Sequence, residues 1–341
     1  MIVSGSADKT IRVWKEPRKL FTFERLGNLR PILEVLKFLS SEEAIGIARV
    51  NKQFYETSFH SEVLKTGLIQ AGILEGHTDC VFSVAVFLEK GILVSSSDDS
   101  TIRVWSLATA QVTQVLQGHS YGVLSVAISS GGERVVSGSK DKTLRVWSLA
   151  SGQTTLVLNG HSDAVRSVAI SSNDQFIVSG SYDYTLRVWS LTTGEVIRVL
   201  EGHSDCVNSV AISKTDQYIV SGSDDSTIRV WSLTSGDLIR LLQGHGDWVN
   251  SVAISRDEQF VVSGSSDKTI RVWSLTSGET TQVLRGHTGE VFSVKLSSDD
   301  KYLVSGSDDE DYLMRVWDLS TGLQTQELKG HTDWVCSVNL I

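Results

Sequence analysis

A Gly-His pair recurs through this chain with its histidine at His77, His119, His161, His203, His245 and His287, a constant step of 42 residues, and at His331 after a last step of 44. Tryptophan keeps the same period. Trp105, Trp147, Trp189, Trp231 and Trp273 each close an "RVWS" and lie 28 residues beyond their histidine, while Trp317 closes "RVWD" after a two-residue insertion in "SDDEDYLMRVW". A period in the low forties means that one supersecondary unit is repeated and that each unit covers its apolar faces with its neighbours.

Within one unit, "VNSVAIS", "QYIVSGS", "TIRVWS" and "DLIRLLQ" are short β-rich runs, separated by "KTDQ", "DDS" and "LTSG", which carry turn chemistry. Both faces of these runs hold apolar residues, as expected of a small sheet sandwiched between two others. Four-stranded meanders set radially form a β-propeller, which leaves no long exposed sheet edge. Six complete units run from His77 to Trp317, and the seventh is divided: "GHTDWVCSVNLI" at the C-terminus supplies its first strand and "MIVSGSADKTIRVW" at the N-terminus the next two. Aligned on residues 203 to 231, Ile341 falls at position 213 and Met1 at position 218, so only the turn matching "KTDQ" is missing. The expectation is a ring nicked in one hairpin turn, its two ends pairing as neighbouring strands. A fragment that stops by chance near the same register is the alternative.

At the residues Gly-His, Ser-Gly-Ser, Asp and Trp, the units resemble the WD-repeat family over nearly all of the chain outside residues 15 to 65. One departure stands out: the Asp of that family's Trp-Asp dipeptide survives at Asp318, whereas five copies have Ser and Trp14 is followed by Lys15. The fold class expected is all-β, a seven-bladed β-propeller of four-stranded antiparallel blades with one small α-helical insertion. Its domains are then 1–14 (strands of the closing blade), 15–65 (the insertion) and 66–341 (the rest of the propeller). The resemblance also implies a buried hydrogen-bonded set in each blade, such as His203, Ser221, Asp225 and Trp231, with the choice between Ser221 and Ser223 open. Blade six leaves Asp309 and Asp311 as alternatives.

Residues 15 to 65 read differently. The fourth strand of the divided blade should follow Trp14, yet the best match to "TGEVIRVLEGH" is "TGLIQAGILEGH" from Thr66, with "KLFTF" at 19 to 23 as a weaker alternative. Both prolines, Pro17 and Pro31, fall in this stretch, and it has no tryptophan. Ile32, Val35, Leu36 and Leu39 recur at helical spacing, Ser40 and Glu43 form a capping box, and Ala44, Ile47, Ala48, Asn51 and Tyr55 continue an apolar stripe. Through Leu33, Val35, Leu36, Phe38 and Leu39, "ARVNKQFY" at 48 to 55 and Leu64, the segment resembles an F-box, the helical motif that docks on the adaptor subunit of cullin-RING ubiquitin ligases. The resemblance implies Leu33, Leu36, Phe38, Leu39, Val50 and Phe54 as adaptor-binding residues. Gly27-Asn28 stand where that family opens with Leu-Pro, and Leu64-Lys65 where it has Leu-Trp. A helical decoration that packs its own apolar face is the competing reading, leaving the protein a scaffold with no role in ubiquitination.

Composition narrows the function classes. A chain of 341 residues with 40% hydrophobic and 21% charged residues buries a core without disulfides or metals. A net charge of -9 argues against nucleic acid as a partner, since phosphate neutralisation needs a basic face. No apolar run is long enough to span a bilayer and no signal peptide follows Met1, so the expectation is no membrane partner and a cytoplasmic or nuclear location. Cys80, Cys206 and Cys336 make no CxxC pair and read as free thiols.

Seven histidines spread once per blade cannot converge on one ion, so no metal and no cofactor is expected. Ser, His and Asp arranged alike in blade after blade are no singular nucleophile, so no catalytic residue is assigned and the chain is read as not an enzyme. What varies between repeats carries more information. Two positions before and inside the first strand, and one just before the turn Asp, change in type while their neighbours hold still. By family resemblance they lie on the top face, where partners dock. They are Cys80, Phe82 and Asp98; Leu124 and Lys140; Arg166 and Tyr182; Cys206, Asn208 and Asp224; Trp248, Asn250 and Ser266; Glu290 and Phe292; Trp334 and Cys336. Aromatic and cationic anchors dominate interface energies, which selects Phe82, Lys140, Arg166, Tyr182, Trp248, Phe292 and Trp334 for a protein or peptide ligand. Rings that only pack on adjacent blades are the alternative. Phosphopeptide capture wants an Arg cluster, and here only Arg166 and Lys140 qualify.

Overall fold

A computed structural model describes residues 1–15, 69–308 and 312–340. They form seven four-stranded antiparallel sheets. Six are consecutive meanders beginning at Val81, Val123, Val165, Val207, Val249 and Val291, and are blades one to six here. In blade four the strands are Val207–Ile212, Tyr218–Ser223, Thr227–Ser232 and Leu238–Gln243, running from the axis to the rim. The seventh sheet has the order Val335–Leu340, Ile2–Ser6, Ile11–Lys15, Ile69–Leu74. Chain start and chain finish thus share one blade, with Ile2 opposite Leu340, Val3 opposite Asn339 and Ser4 opposite Val338. The fourth strand starts at Ile69, inside the match read from Thr66. The rival strand at 19 to 23, the helical segment beyond Lys15, the F-box-like residues Leu33, Leu36, Phe38, Leu39, Val50 and Phe54, and the alternatives Asp309 and Asp311 lie outside the described residues.

The apolar core is divided into layers between blades. One layer joins Val178, Leu186, Val188 and Leu200 of blade three to Val207, Val210, Ile219 and Trp231 of blade four. The divided blade is gripped on both faces in the same way: Ile2 and Trp14 pack on Tyr302, Val304 and Met314 of blade six, while Val3, Ile11 and Val13 pack on Val81, Leu93 and Trp105 of blade one. Glycine in the Ser-Gly-Ser strand sets this spacing. A Cβ on Gly222 would stand 2.6 Å from Val249 Cγ1, and one on Gly5 would stand 2.7 Å from Val81 Cγ1. Blade one has Ser96 at this place, and its hydroxyl is buried without a hydrogen-bond partner among the described residues.

A belt of serines stitches the innermost strands. The Ser83 hydroxyl accepts the backbone N–H of Val126, Ser125 that of Val168, Ser167 that of Val210, and Ser209 that of Val252. Ser251 accepts from Val294 and Ser293 from Val338, and the circle is completed by Val84 N–H donating to Ser337 at 3.2 Å. Each bond satisfies a backbone donor that the inner sheet edge would otherwise leave unpaired, so the closing bond has the same chemistry as the other six.

Candidate partner-docking face

The repeated polar set is a single hydrogen-bonded chain. His203 Nδ1 lies 2.7 Å from Asp225 Oδ2, its Nε2 lies 2.8 Å from Ser221 Oγ, and the Trp231 indole N–H donates to the same Ser221 oxygen at 2.9 Å. An ionised carboxylate only accepts, so Nδ1 donates to Asp225 and Nε2 accepts the Ser221 hydroxyl proton. Ser221 is the network serine. Ser223 instead donates to the Asp205 carbonyl and accepts the Asp225 N–H. Burial pushes the Asp225 carboxyl up, but hydrogen bonds from His203 and Thr227 outweigh it and hold the group well below the usual carboxylate range. Ser, His and Asp are connected here as in a hydrolytic triad, yet Ser221 Oγ is completely buried and already holds the indole proton, so no substrate carbonyl can reach it. In blade six the same pattern joins His287 Nε2, Ser305 and Trp317.

Backbone bonds place the variable positions together. The N–H of the residue before the turn Asp donates to the carbonyl of the residue before the first strand: Asp98 to Cys80, Lys140 to Gly122, Tyr182 to Ala164, Asp224 to Cys206, Ser266 to Trp248 and Asp308 to Glu290. The divided blade does the same with Ala7 and Trp334. The third variable position is a β-bulge. Pairing passes from Val81–Ser97 directly to Ser83–Ser96, leaving Phe82 as the extra residue, and Arg166, Asn208, Asn250, Phe292 and Cys336 occupy the same place. A bulge releases one residue from the ladder and re-aims its side chain, which is how this end of the inner strand comes to display it. The sequence pattern alone did not show the bulges. Their trace is the break in alternation in "VFSVAV", where apolar Val81 and Val84 are three residues apart.

Two clusters result. Lys140 Nζ holds both Asp98 oxygens at 2.7 and 2.9 Å and stands 5.4 Å from the Phe82 ring centroid, while the Arg166 guanidinium lies 5.9 Å from the same ring. On blade six and the divided blade, Phe292 and Trp334 stack with centroids 5.7 Å apart. Trp248 and Trp334 remain about half exposed, at 51% and 50%, and Tyr182 at 38%. Tyr121 and Tyr184 are further exposed aromatics in the same loops, at 64% and 45%; the sign was in the sequence, since each stands where blade four has Asp205 and Ser226. Asn208 and Asn250 are braces. Each donates to its own blade's turn residue, Asp224 or Ser266, and to the next blade's carbonyl at Val249 or Val291. Asp205, Cys206 and Asp224 bring their potential metal-binding atoms within 4.8 Å of one another. Burial first, then the Asp224 charge, pushes the Cys206 thiol up to about 12, so it is protonated at neutral pH, whereas a metal-binding cysteine is a thiolate.

The family model "WD domain, G-beta repeat" matches residues 1–15, 69–106, 110–148, 152–190, 194–232, 236–274 and 278–318. The chain belongs to the WD-repeat family. Among similar proteins, "Cell division control protein 4" of Candida albicans is 36% identical over 125 residues, 34% of this chain and 18% of that protein. "Transcription initiation factor TFIID subunit 5" of Drosophila melanogaster is 31% identical over 110 residues, 32% of this chain and 13% of that protein. The aligned part therefore spans less than a fifth of either relative. The repeated residues build the frame, and the residues that differ between blades are what the frame displays.

Proposed function

We propose that this WD-repeat propeller is a protein-interaction module that binds a protein or peptide on the face carrying Phe82, Lys140, Arg166, Tyr182, Trp248, Phe292 and Trp334. The observation that carries the reading is the bulge at the head of each inner strand, where one repeated backbone carries Phe, Leu, Arg, Asn or Cys according to the blade. Exposed Trp248 and Trp334 are the strongest anchors, because large rings bury much area at little entropic cost. The test compares partners captured from a cell extract by the wild-type protein and by Trp248→Ala/Trp334→Ala, identified by mass spectrometry. Partners held by the first and lost by the second support the reading. An identical set with both proteins overturns it.

The bolder form assigns residues 24–65 of the insertion as an F-box and the protein as a substrate receptor of a cullin-RING ubiquitin ligase, in the cytoplasm or nucleus. Its support is the sequence resemblance at Leu33, Leu36, Phe38, Leu39, Val50 and Phe54, together with the partial similarity to the cell division control protein. Purified adaptor subunit is the probe. Binding that is lost in Leu36→Ala/Phe38→Ala/Leu39→Ala supports the receptor. No binding by the intact protein leaves the propeller a scaffold with an unrelated insertion.

A further inference from the structure

The inner strands line a central channel whose cavity measures about 590 Å³. At one position along those strands five blades carry a methyl group, at Ala85, Ala127, Ala169, Ala211 and Ala253. Blade six has Lys295 instead, and the divided blade has Asn339. The channel wall is thus apolar and uncharged at this level except at two adjoining blades.

Lys295 makes no hydrogen bond or ion pair with any described residue. Its side chain is exposed to the water of the channel, and the protein packed around that channel weakens solvation of the ammonium and lowers the affinity of the amine for a proton. Among the described residues, the other ionisable groups lining the cavity are Arg256 and Asp300. Asp300 is engaged by the Arg256 backbone N–H at 2.7 Å, and the Arg256 guanidinium reaches the Ser298 carbonyl at 3.3 Å. Two cations and one carboxylate line this cavity in a chain of net charge -9, so the channel runs against the sign of the whole protein. Two cations against one carboxylate leave the charge of this lining net positive, which favours a counter-ion of opposite sign.

We propose that the central channel is a binding site for a small oxyanion of the phosphate class, with Lys295 as its charge partner and Arg256 as the second cation on the wall. The cavity is many times the roughly 30 Å³ share of one water, so the anion sits there with part of its hydration shell. Binding restores to Lys295 the opposite charge it lacks, and therefore takes up a proton wherever the amine is partly deprotonated.

Titration of the purified full chain with inorganic phosphate, at ionic strength held constant with sodium chloride, tests this by calorimetry and by melting temperature. The wild type shows one saturable site. Lys295→Ala, which installs the residue that five other blades carry and so leaves the fold intact, weakens phosphate binding by at least about tenfold. Lys295→Arg retains it, and Trp248→Ala/Trp334→Ala leaves it unchanged. With sulfate, whose charge is constant over the range, affinity falls as pH rises through the Lys295 titration. Absence of saturable binding by the wild type, or equal binding by Lys295→Ala, overturns the proposal.

Discussion

Blade four and the divided blade carry the same interactions by different routes. In blade four, His203 and Ser221 are 18 residues apart and meet at 2.8 Å. In the divided blade, His331 and Ser4 are 327 residues apart and meet at 2.7 Å; His331 also reaches Asp8 at 2.8 Å, and the Trp14 indole donates to Ser4 at 3.3 Å. The difference teaches that the hydrogen-bonded set belongs to the sheet and not to the connection. Joining the chain's two ends adds a loop-closure cost, which grows slowly with length, and two inter-blade core layers offset it.

The severest way to break the comparison is to delete residues 2–14. This removes the second and third strands of one blade and uncovers the faces of blades one and six, at roughly 25 cal/mol per Å² of apolar surface. The expected loss is on the order of 5 kcal/mol or more, with a large fall in melting temperature; an unchanged melt would show that the ring does not need its N-terminal strands. Single partners come next. His203→Ala and His331→Ala each leave a buried serine hydroxyl without its acceptor and take one donor from the aspartate, and should cost about 1–3 kcal/mol in denaturant unfolding. A double-mutant cycle of Ser4→Ala with His331→Ala should show a coupling of at least about 0.5 kcal/mol, and an additive result would deny the contact.

Acid sharpens the contrast. In both blades hydrogen bonds from histidine and threonine override burial and hold Asp8 and Asp225 well below the ordinary aspartate value of 3.8. On acidification the unfolded chain therefore takes up protons first, so this stability is complete above about pH 4 and drains away below it. His331 is pushed below its ordinary 6.5 by burial, against the Asp8 charge. The unfolded histidine then protonates before the folded one, and the divided blade loses stability from about pH 6.5 downward. Amide exchange in Ile2–Ser6 should accelerate between pH 6 and 4.5, after correction for intrinsic rates, and this acceleration should vanish in His331→Ala. The smallest effect is a gain. Ser96→Gly removes a buried hydroxyl costing about 1–3 kcal/mol and adds the roughly 0.5–1 kcal/mol strand penalty of glycine, so the melting temperature should rise slightly.

Period, strands and the divided blade were legible because each follows from local text: "VNSVAI", "YIVSGS" and "TIRVWS" state strand and burial directly. The register between the chain's ends was legible too, since Gly-His and Ser-Gly-Ser fix it on both halves. The serine belt was not, because Ser83 or Ser125 reads as an ordinary polar strand residue until the neighbouring blade brings its N–H alongside. Nor were the roles of Asn208 and Asn250, which face the next blade's carbonyls. Such contacts repeat across blades, whereas a single sequence repeat records one blade only. Lys295 was visible in the sequence as an exception to alanine, but its meaning needed the channel.

The two ends of the chain are zipped together as neighbouring strands. Hydrogen exchange at neutral pH tests this pairing most directly. The paired amides of Ile2–Ser6 and Val335–Leu340 should be protected as a unit and approach the protection of Tyr218–Ser223. Exchange of both terminal strands at unprotected rates, with blade four still slow, would contradict it.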